Sequence, residues 1–192
     1  MSNHNIVTLR HFSRRGTLPA LFNLFKFTKG VEIGTDKGEY AEVLCQKIPG
    51  LQLTCVDPWL PYTEGTEVHD QADIDKIYAK AQQRLLPYNV RFLKMTSMEA
   101  ATKFEDNSLD FVFIDGNHDY QHAREDIEAW TPKVRMGGIV CGHDYTASTQ
   151  PDYGVIEAVN EYTQSHEISP LFILDSSGNF TQCWMFFKGH ND

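Results

Sequence analysis

The sequence predicts an α/β domain built on a mostly parallel sheet of seven strands, with helices on both faces and a C-terminal antiparallel hairpin. Two observations carry this. From about residue 20 to 165 short apolar runs alternate with segments of helical period, the pattern of a parallel sheet covered on both faces. The alternation then breaks, because Leu171 to Leu174 and Thr181 to Phe187 are joined by Asp175-Ser176-Ser177-Gly178-Asn179. That is hairpin chemistry, so one strand of the pair runs antiparallel. With 192 residues and 41% hydrophobic content, residues 1–192 are expected to form one domain with a sizeable core.

The elements follow in order. Leu18 to Phe27 reads as a helix facing the core through Leu21, Phe22, Leu24 and Phe25, and it leads into a first strand ending at Val31-Glu32-Ile33. Residues 39–48 place apolar groups at Ala41, Leu44, Cys45 and Ile48, a helical period that Pro49-Gly50 stops. Leu51 to Val56 is the second strand, and Pro58 to Val68 a long loop after it. Ile74, Ile77, Tyr78, Ala81 and Leu85 give Asp73 to Leu86 a helical face. Val90 to Leu93, Leu109 to Ile114 and Gly138 to Cys141 are the third, fourth and fifth strands, with helices over 98–104, 120–130 and 153–165.

Composition narrows the partners. A net charge of −9 argues against an obligate nucleic-acid partner, which needs a basic surface. No apolar stretch reaches the roughly 18 residues of a membrane span. The N-terminal stretch lacks the apolar core of a signal peptide. The cysteines at 45, 55, 141 and 183 show no C-x-x-C spacing and read as buried thiols in a reducing compartment, so the expected location is cytoplasmic.

The chemistry starts at Val31-Glu32-Ile33-Gly34-Thr35-Asp36-Lys37-Gly38-Glu39, where a strand end runs through a glycine-bracketed turn into a helix. Such a turn lets the backbone approach a ligand and aims the helix amides at it. Asp57, at the end of the next strand, is placed to accept ribose hydroxyls; a cap before Pro58 is the alternative, and the glycine turn upstream favours the ribose. A dinucleotide-binding turn needs G-x-G-x-x-G, and Asp36 and Glu39 stand where its second and third glycines belong. A pyrophosphate would meet carboxylates there, whereas S-adenosylmethionine carries no phosphate and has cationic sulfonium and amino groups.

At these residues the chain resembles the class I S-adenosylmethionine-dependent methyltransferases, whose first motif reads acid-x-Gly-x-x-x-Gly and whose sheet is Rossmann-like, with an antiparallel strand near one edge. A second stretch sharpens the resemblance. Asp115-Gly116-Asn117-His118-Asp119-Tyr120, followed by Gly137-Gly138-Ile139-Val140-Cys141-Gly142-His143-Asp144-Tyr145, is similar to a small-domain group that includes sugar and macrolide O-methyltransferases. The resemblance implies that Glu32, Gly34, Thr35, Gly38, Asp57 and Asp115 line the cofactor, with Ser97 and Met98 beside the adenine. Ser97 equally reads as a helix N-cap, and Trp59 as a core lid or a cofactor wall.

The resemblance further implies a divalent metal, magnesium or manganese, near a hydroxylated small-molecule acceptor. Asp115, His143 and Asp144 are the candidate ligands and His118 the general base, with His143 next in line. A bound cation stabilises a developing alkoxide, and an imidazole near its own pKa can take the proton. His143 is a departure, since many relatives carry an acidic pair after the fifth strand. Imidazole suits softer ions than magnesium, so the site points to a softer ion, to an outward-turned His143, or to no tight metal. Taken singly, Asp115 also fits a helix cap, and His143 and Asp144 a turn pair.

Two other readings stay open: a nucleotide-cofactor oxidoreductase, disfavoured by Asp36 and Glu39, and a cofactor-binding protein without catalysis. Acceptor pockets in this fold are built by the N-terminal segment and strand-end loops, here residues 1–20, 58–72 and 145–153, with Tyr62, Tyr145 and Tyr153 as ring-stacking candidates. That leaves the pocket open unless a second copy of the chain, in a homodimer, covers it.

Overall fold

The structure is a computed structural model that describes residues 5–64, 67–147, 153–176 and 182–189. Its strands are β1 (Ile6–Arg10), β2 (Lys29–Ile33), β3 (Gln52–Asp57), β4 (Tyr62–Glu64), β5 (Glu67–His69), β6 (Val90–Lys94), β7 (Leu109–Ile114), β8 (Val134–Gly142), β9 (Leu171–Asp175) and β10 (Cys183–Phe187). Its helices are α1 (Thr17–Leu24), α2 (Glu39–Lys47), α3 (Gln71–Leu85), α4 (Ser97–Ala101), α5 (Tyr120–Trp130) and α6 (Val155–Ser165).

Eight strands form one sheet in the order β1-β9-β10-β8-β7-β2-β3-β6. Among the described residues, the one reversed strand of this sheet is β10, antiparallel to its neighbours β8 and β9 as the hairpin pattern requires. Of the loop expected between them, Asp175 ends β9, and residues 177–179, like Thr181, lie outside the described residues.

The strand beyond the expected seven is β1. Its Ile6 pairs with Leu171 and its Arg10 with Asp175, in parallel register at the sheet edge. It alternates exposed and half-buried residues, since one side of an edge strand faces solvent. The stretch read as an acceptor-covering segment is thus, over Ile6–Arg10, part of the sheet. The long loop after β3 also holds structure, the antiparallel ribbon of β4 and β5.

The period of two along the central strands sorts side chains onto opposite faces. On β7, Phe111 and Phe113 pack with Leu18 and Phe22 of α1 and with Tyr40, Ala41 and Leu44 of α2. Val112 and Ile114 pack on the other face with Ala123, Ile127 and Trp130 of α5 and with Ala158 and Val159 of α6. Phe111 is fully buried and stacks on Phe22 with ring centroids 4.1 Å apart. Emptying such a site to alanine typically costs about 3–5 kcal/mol. Three of the four cysteines are buried in these layers and Cys45 is half-buried; all are free thiols.

Candidate active site

Strands β2, β3, β6, β7 and β8 are mutually parallel, so their carboxyl ends lie on one edge of the sheet. That edge gathers the turn after β2, Asp57, the Thr96–Met98 segment, Asp115 with His118, and His143 with Asp144. A cleft of about 790 Å³ runs along it, with Gly34, Asp57, Ser97, Met98, Asp115 and His118 in its wall.

Gly34 has φ 79°, and a Cβ there would lie 1.9 Å from the Asp115 carbonyl oxygen. The glycine is therefore required by the contact between two strand-end loops. Gly38, at φ 73°, brings the start of α2 against Leu85 of α3. Between them Asp36 is also left-handed, at φ 48°.

This conformation presents the Asp36 amide to Asp57 Oδ2 at 3.0 Å, while the Trp59 amide donates to Oδ1 at 2.7 Å. The Trp59 indole N–H closes the ring by donating to the Asp36 carbonyl at 3.1 Å. Trp59 is 2% exposed and itself left-handed, at φ 43°. A non-glycine residue held there costs of order 1–3 kcal/mol, and such residues gather at sites that need a fixed shape. Burial raises the Asp57 carboxyl, and the Asp36 and Trp59 amides pull it back. Each carboxylate oxygen keeps acceptor capacity for a further donor.

Beneath the turn, Glu32 is 2% exposed, with Oε2 3.9 Å from Cys55 Sγ. Burial pushes its carboxyl up to about 8, against a lowering by the nearby Thr35 hydroxyl. That hydroxyl is itself buried and makes no well-formed hydrogen bond.

On the far wall, Ser97 is the first residue of α4 and Thr96 is its N-cap, in a capping box with Glu99. The cap expected at Ser97 thus sits one residue earlier. Ser97 Oγ accepts the Trp130 indole N–H at 2.8 Å and bonds the carboxyl of Asp126, which burial raises to about 6. Met98 is exposed along the cleft.

Just beyond the ends of β7 and β8 three ligand-type side chains converge. Single atoms of Asp115, His118 and Asp144 all lie within 4.8 Å of one another. His118 Nε2 is 2.9 Å from Asp144 Oδ2. His143 Nδ1 bridges the two carboxylates, 3.1 Å from Asp144 Oδ2 and 3.5 Å from Asp115 Oδ1. Arg14, from the segment after β1, puts Nη1 2.7 Å from Asp115 Oδ2.

The hydrogen bond to Asp144 raises His118 above its ordinary value. Burial opposes protonation of His143, but its bonds to Asp115 and Asp144 outweigh it and lift the imidazole to about 9. Burial works against ionisation of Asp144, yet the two imidazoles hold its carboxyl well below the carboxylate range. Asp144 is left-handed, at φ 59°. Asp115 does not cap the following helix, since Asp119 is the N-cap of α5.

A family model described as a methyltransferase domain matches residues 31–145, from β2 through the His143-Asp144 pair. The chain belongs to this methyltransferase family. Solved structures share its fold. The O-methyltransferase TomG of Streptomyces achromogenes, involved in tomaymycin synthesis and bound to S-adenosylmethionine, superposes with TM-score 0.62 at 16% identity over 90% of this chain and 78% of its own. The Bacillus cereus O-methyltransferase in complex with S-adenosylhomocysteine gives 0.60 at 18% identity, over 89% and 79%. The CurJ carbon methyltransferase gives 0.61 at 12% identity, over 85% of this chain and 49% of its own. These likenesses show the fold, and oxygen and carbon methylation both occur among them. The uncharacterized protein y4gI of Sinorhizobium fredii is 33% identical over 132 residues, 65% of this chain and 14% of that protein. The chain thus spans about a seventh of that relative's length.

The structure of this methyltransferase-family chain adds residues that the motifs did not single out. Arg14 reaches Asp115 across a separation of 101 residues, beyond any local spacing rule. Asp126 shows no motif, but its helical spacing from Ala123, Ile127 and Trp130 on the buried face of α5 marks it as a carboxylate placed inside. Of the tyrosines expected around the acceptor, Tyr153 has its ring 5.3 Å from that of His118. Tyr145 is buried and donates to Asn160 Oδ1 at 2.9 Å, a packing role. The Tyr62 side chain lies outside the described residues, as do residues 148–152.

Proposed function

We propose that this methyltransferase uses S-adenosylmethionine to methylate a hydroxyl oxygen of a small acceptor, of sugar or natural-product type, with a divalent cation at Asp115, His118 and Asp144. The observation that carries the reading is the convergence of those three side chains on the strand-end edge whose cleft has Asp57, Asp115 and His118 in its wall. Two carboxylates and an imidazole form a mixed donor set that fits a divalent ion and favours manganese over magnesium. When bound, such an ion stabilises the negative charge that develops on the acceptor oxygen.

The chain's own groups do the rest. Asp57, with its orientation set by two amides, accepts the ribose hydroxyls. Ser97 and Met98 flank the adenine, and the acidic Asp36 in the turn suits the cationic methionine end. The acceptor oxygen forms its bond to the methyl carbon as the carbon–sulfur bond breaks, and the protein supplies alignment and dry surroundings.

One distance favours a second reading. With Nε2 held by Asp144 at 2.9 Å, His118 is oriented as in a histidine–carboxylate dyad, leaving Nδ1 to take the hydroxyl proton. The same Nε2 cannot serve both roles at once. The deciding experiment offers S-adenosylmethionine and a panel of hydroxylated acceptors, with and without chelator, and follows S-adenosylhomocysteine by mass spectrometry. Stabilisation by S-adenosylhomocysteine in thermal shift, with none by NAD, is expected. The reverse pattern would overturn the proposal.

A further inference from the structure

We infer that Arg14 sets how tightly the Asp115–His118–Asp144 site takes a divalent cation, acting as a built-in positive charge that the ion must tolerate or displace. The inference rests on the metal reading above and assigns Arg14 as a positioning and affinity-determining residue.

Arg14 is not a loose surface side chain. It sits in a turn closed by Thr17, whose amide donates to the Ser13 carbonyl at 2.8 Å and whose hydroxyl accepts the Ser13 amide at 3.1 Å. Its own carbonyl accepts the Tyr40 hydroxyl at 3.0 Å, and its guanidinium lies 5.3 Å from the centroid of the Tyr40 ring. Tyr40 is 5% exposed and rests on Phe113, so the main chain of Arg14 is anchored to the core. From that anchor Nη1 reaches Asp115 Oδ2 at 2.7 Å, with both side chains about three-quarters buried.

Asp115 therefore has a guanidinium on one oxygen and the His143 ring facing the other. A dication entering at Asp115 meets a full positive charge already hydrogen-bonded to its ligand. At such separations one unit charge changes the affinity for a dication on the order of tenfold even under water-like screening.

The test is manganese binding to the full chain, by calorimetry and by electron paramagnetic resonance of free Mn²⁺, without cofactor or acceptor. Arg14→Gln, which keeps a hydrogen-bond donor and removes the charge, should bind Mn²⁺ about tenfold more tightly than wild type. Arg14→Lys should stay near wild type, and Asp115→Asn should lose binding. Arg14→Met replaces the glutamine variant if circular dichroism shows that the latter has not folded. Equal affinity in wild type and the neutral variant would overturn the role of Arg14 while leaving the metal reading intact. A lysine variant as tight as the glutamine one would overturn it too, since charge would not be the cause. Absence of Mn²⁺ binding in every variant would overturn both readings together.

Discussion

The indole N–H of Trp59 donates to the main-chain carbonyl of Asp36 at 3.1 Å, tying the loop after β3 to the turn after β2. Between the two residues stands Asp57, which accepts an amide from each. The carboxylate proposed to hold the ribose is thus fixed by a closed ring of hydrogen bonds before any ligand arrives.

Asp57→Ala should weaken binding of S-adenosylhomocysteine by about 1.5–3 kcal/mol in calorimetry, the scale of hydrogen bonds to a charged group. Trp59→Phe, which keeps the ring and deletes the indole N–H, should cost less, about 0.5–1.5 kcal/mol. Unchanged affinity in Asp57→Ala would remove the ribose from this position.

Chelator should abolish turnover and leave cofactor binding intact, and manganese should restore activity at least as well as magnesium, because the donor set includes an imidazole. Full turnover in excess chelator would leave the His118–Asp144 dyad as the working arrangement.

His118→Ala should lower turnover roughly 10²–10⁴-fold with little change in cofactor affinity if His118 is the base. Only the neutral imidazole accepts a proton, so the rate rises with pH. Since Asp144 raises the imidazole above 6.5, that rise should fall at higher pH than for an ordinary histidine. Asp144→Asn should move it down. A folded His118→Ala protein keeping more than about a third of the rate would place the base elsewhere.

Most of this site was legible because strand ends of a parallel sheet share one edge, so locating Gly34, Asp57, Asp115 and Asp144 at strand ends was enough to predict their convergence. Partners set by distant pairing were not. The β1 segment Ile6-Val7-Thr8-Leu9-Arg10 is a half-exposed edge strand whose partner lies near the other end of the chain, and Arg14 meets Asp115 across 101 residues. The α4 cap was within reach. Thr96-Ser97-Met98-Glu99 carries a capping box counted from Thr96, whereas Ala100 stands three residues after Ser97. Gly34 fitted a ligand-binding turn on sequence, but the atom nearest a Cβ there belongs to Asp115.

Glu32 should make stability fall as pH rises. Its carboxyl goes from 4.5 when unfolded to about 8 in the fold, so between these values the folded state holds a proton that the unfolded state has lost. The stabilisation is fully present below about 4.5 and declines through about 8, by up to about 1.4 kcal/mol per pH unit. His143, lifted to about 9, contributes with the same sign. Glu32→Gln should therefore flatten, without abolishing, the decline of melting temperature between pH 5 and 9. Identical slopes for both proteins would mean that Glu32 is ionised in the fold.

The single reversed strand has a consequence for how the chain assembles. β2, β3, β6, β7 and β8 all lie within residues 29–142, so the five parallel strands are made before β10. β10 then enters between β8 and β9, and β9 carries β1. Until β10 arrives, the edge of β8 is an open row of amides and carbonyls in the middle of the future sheet. An exposed strand edge recruits other chains. Loss of the C-terminal strand should therefore appear first as aggregation during synthesis.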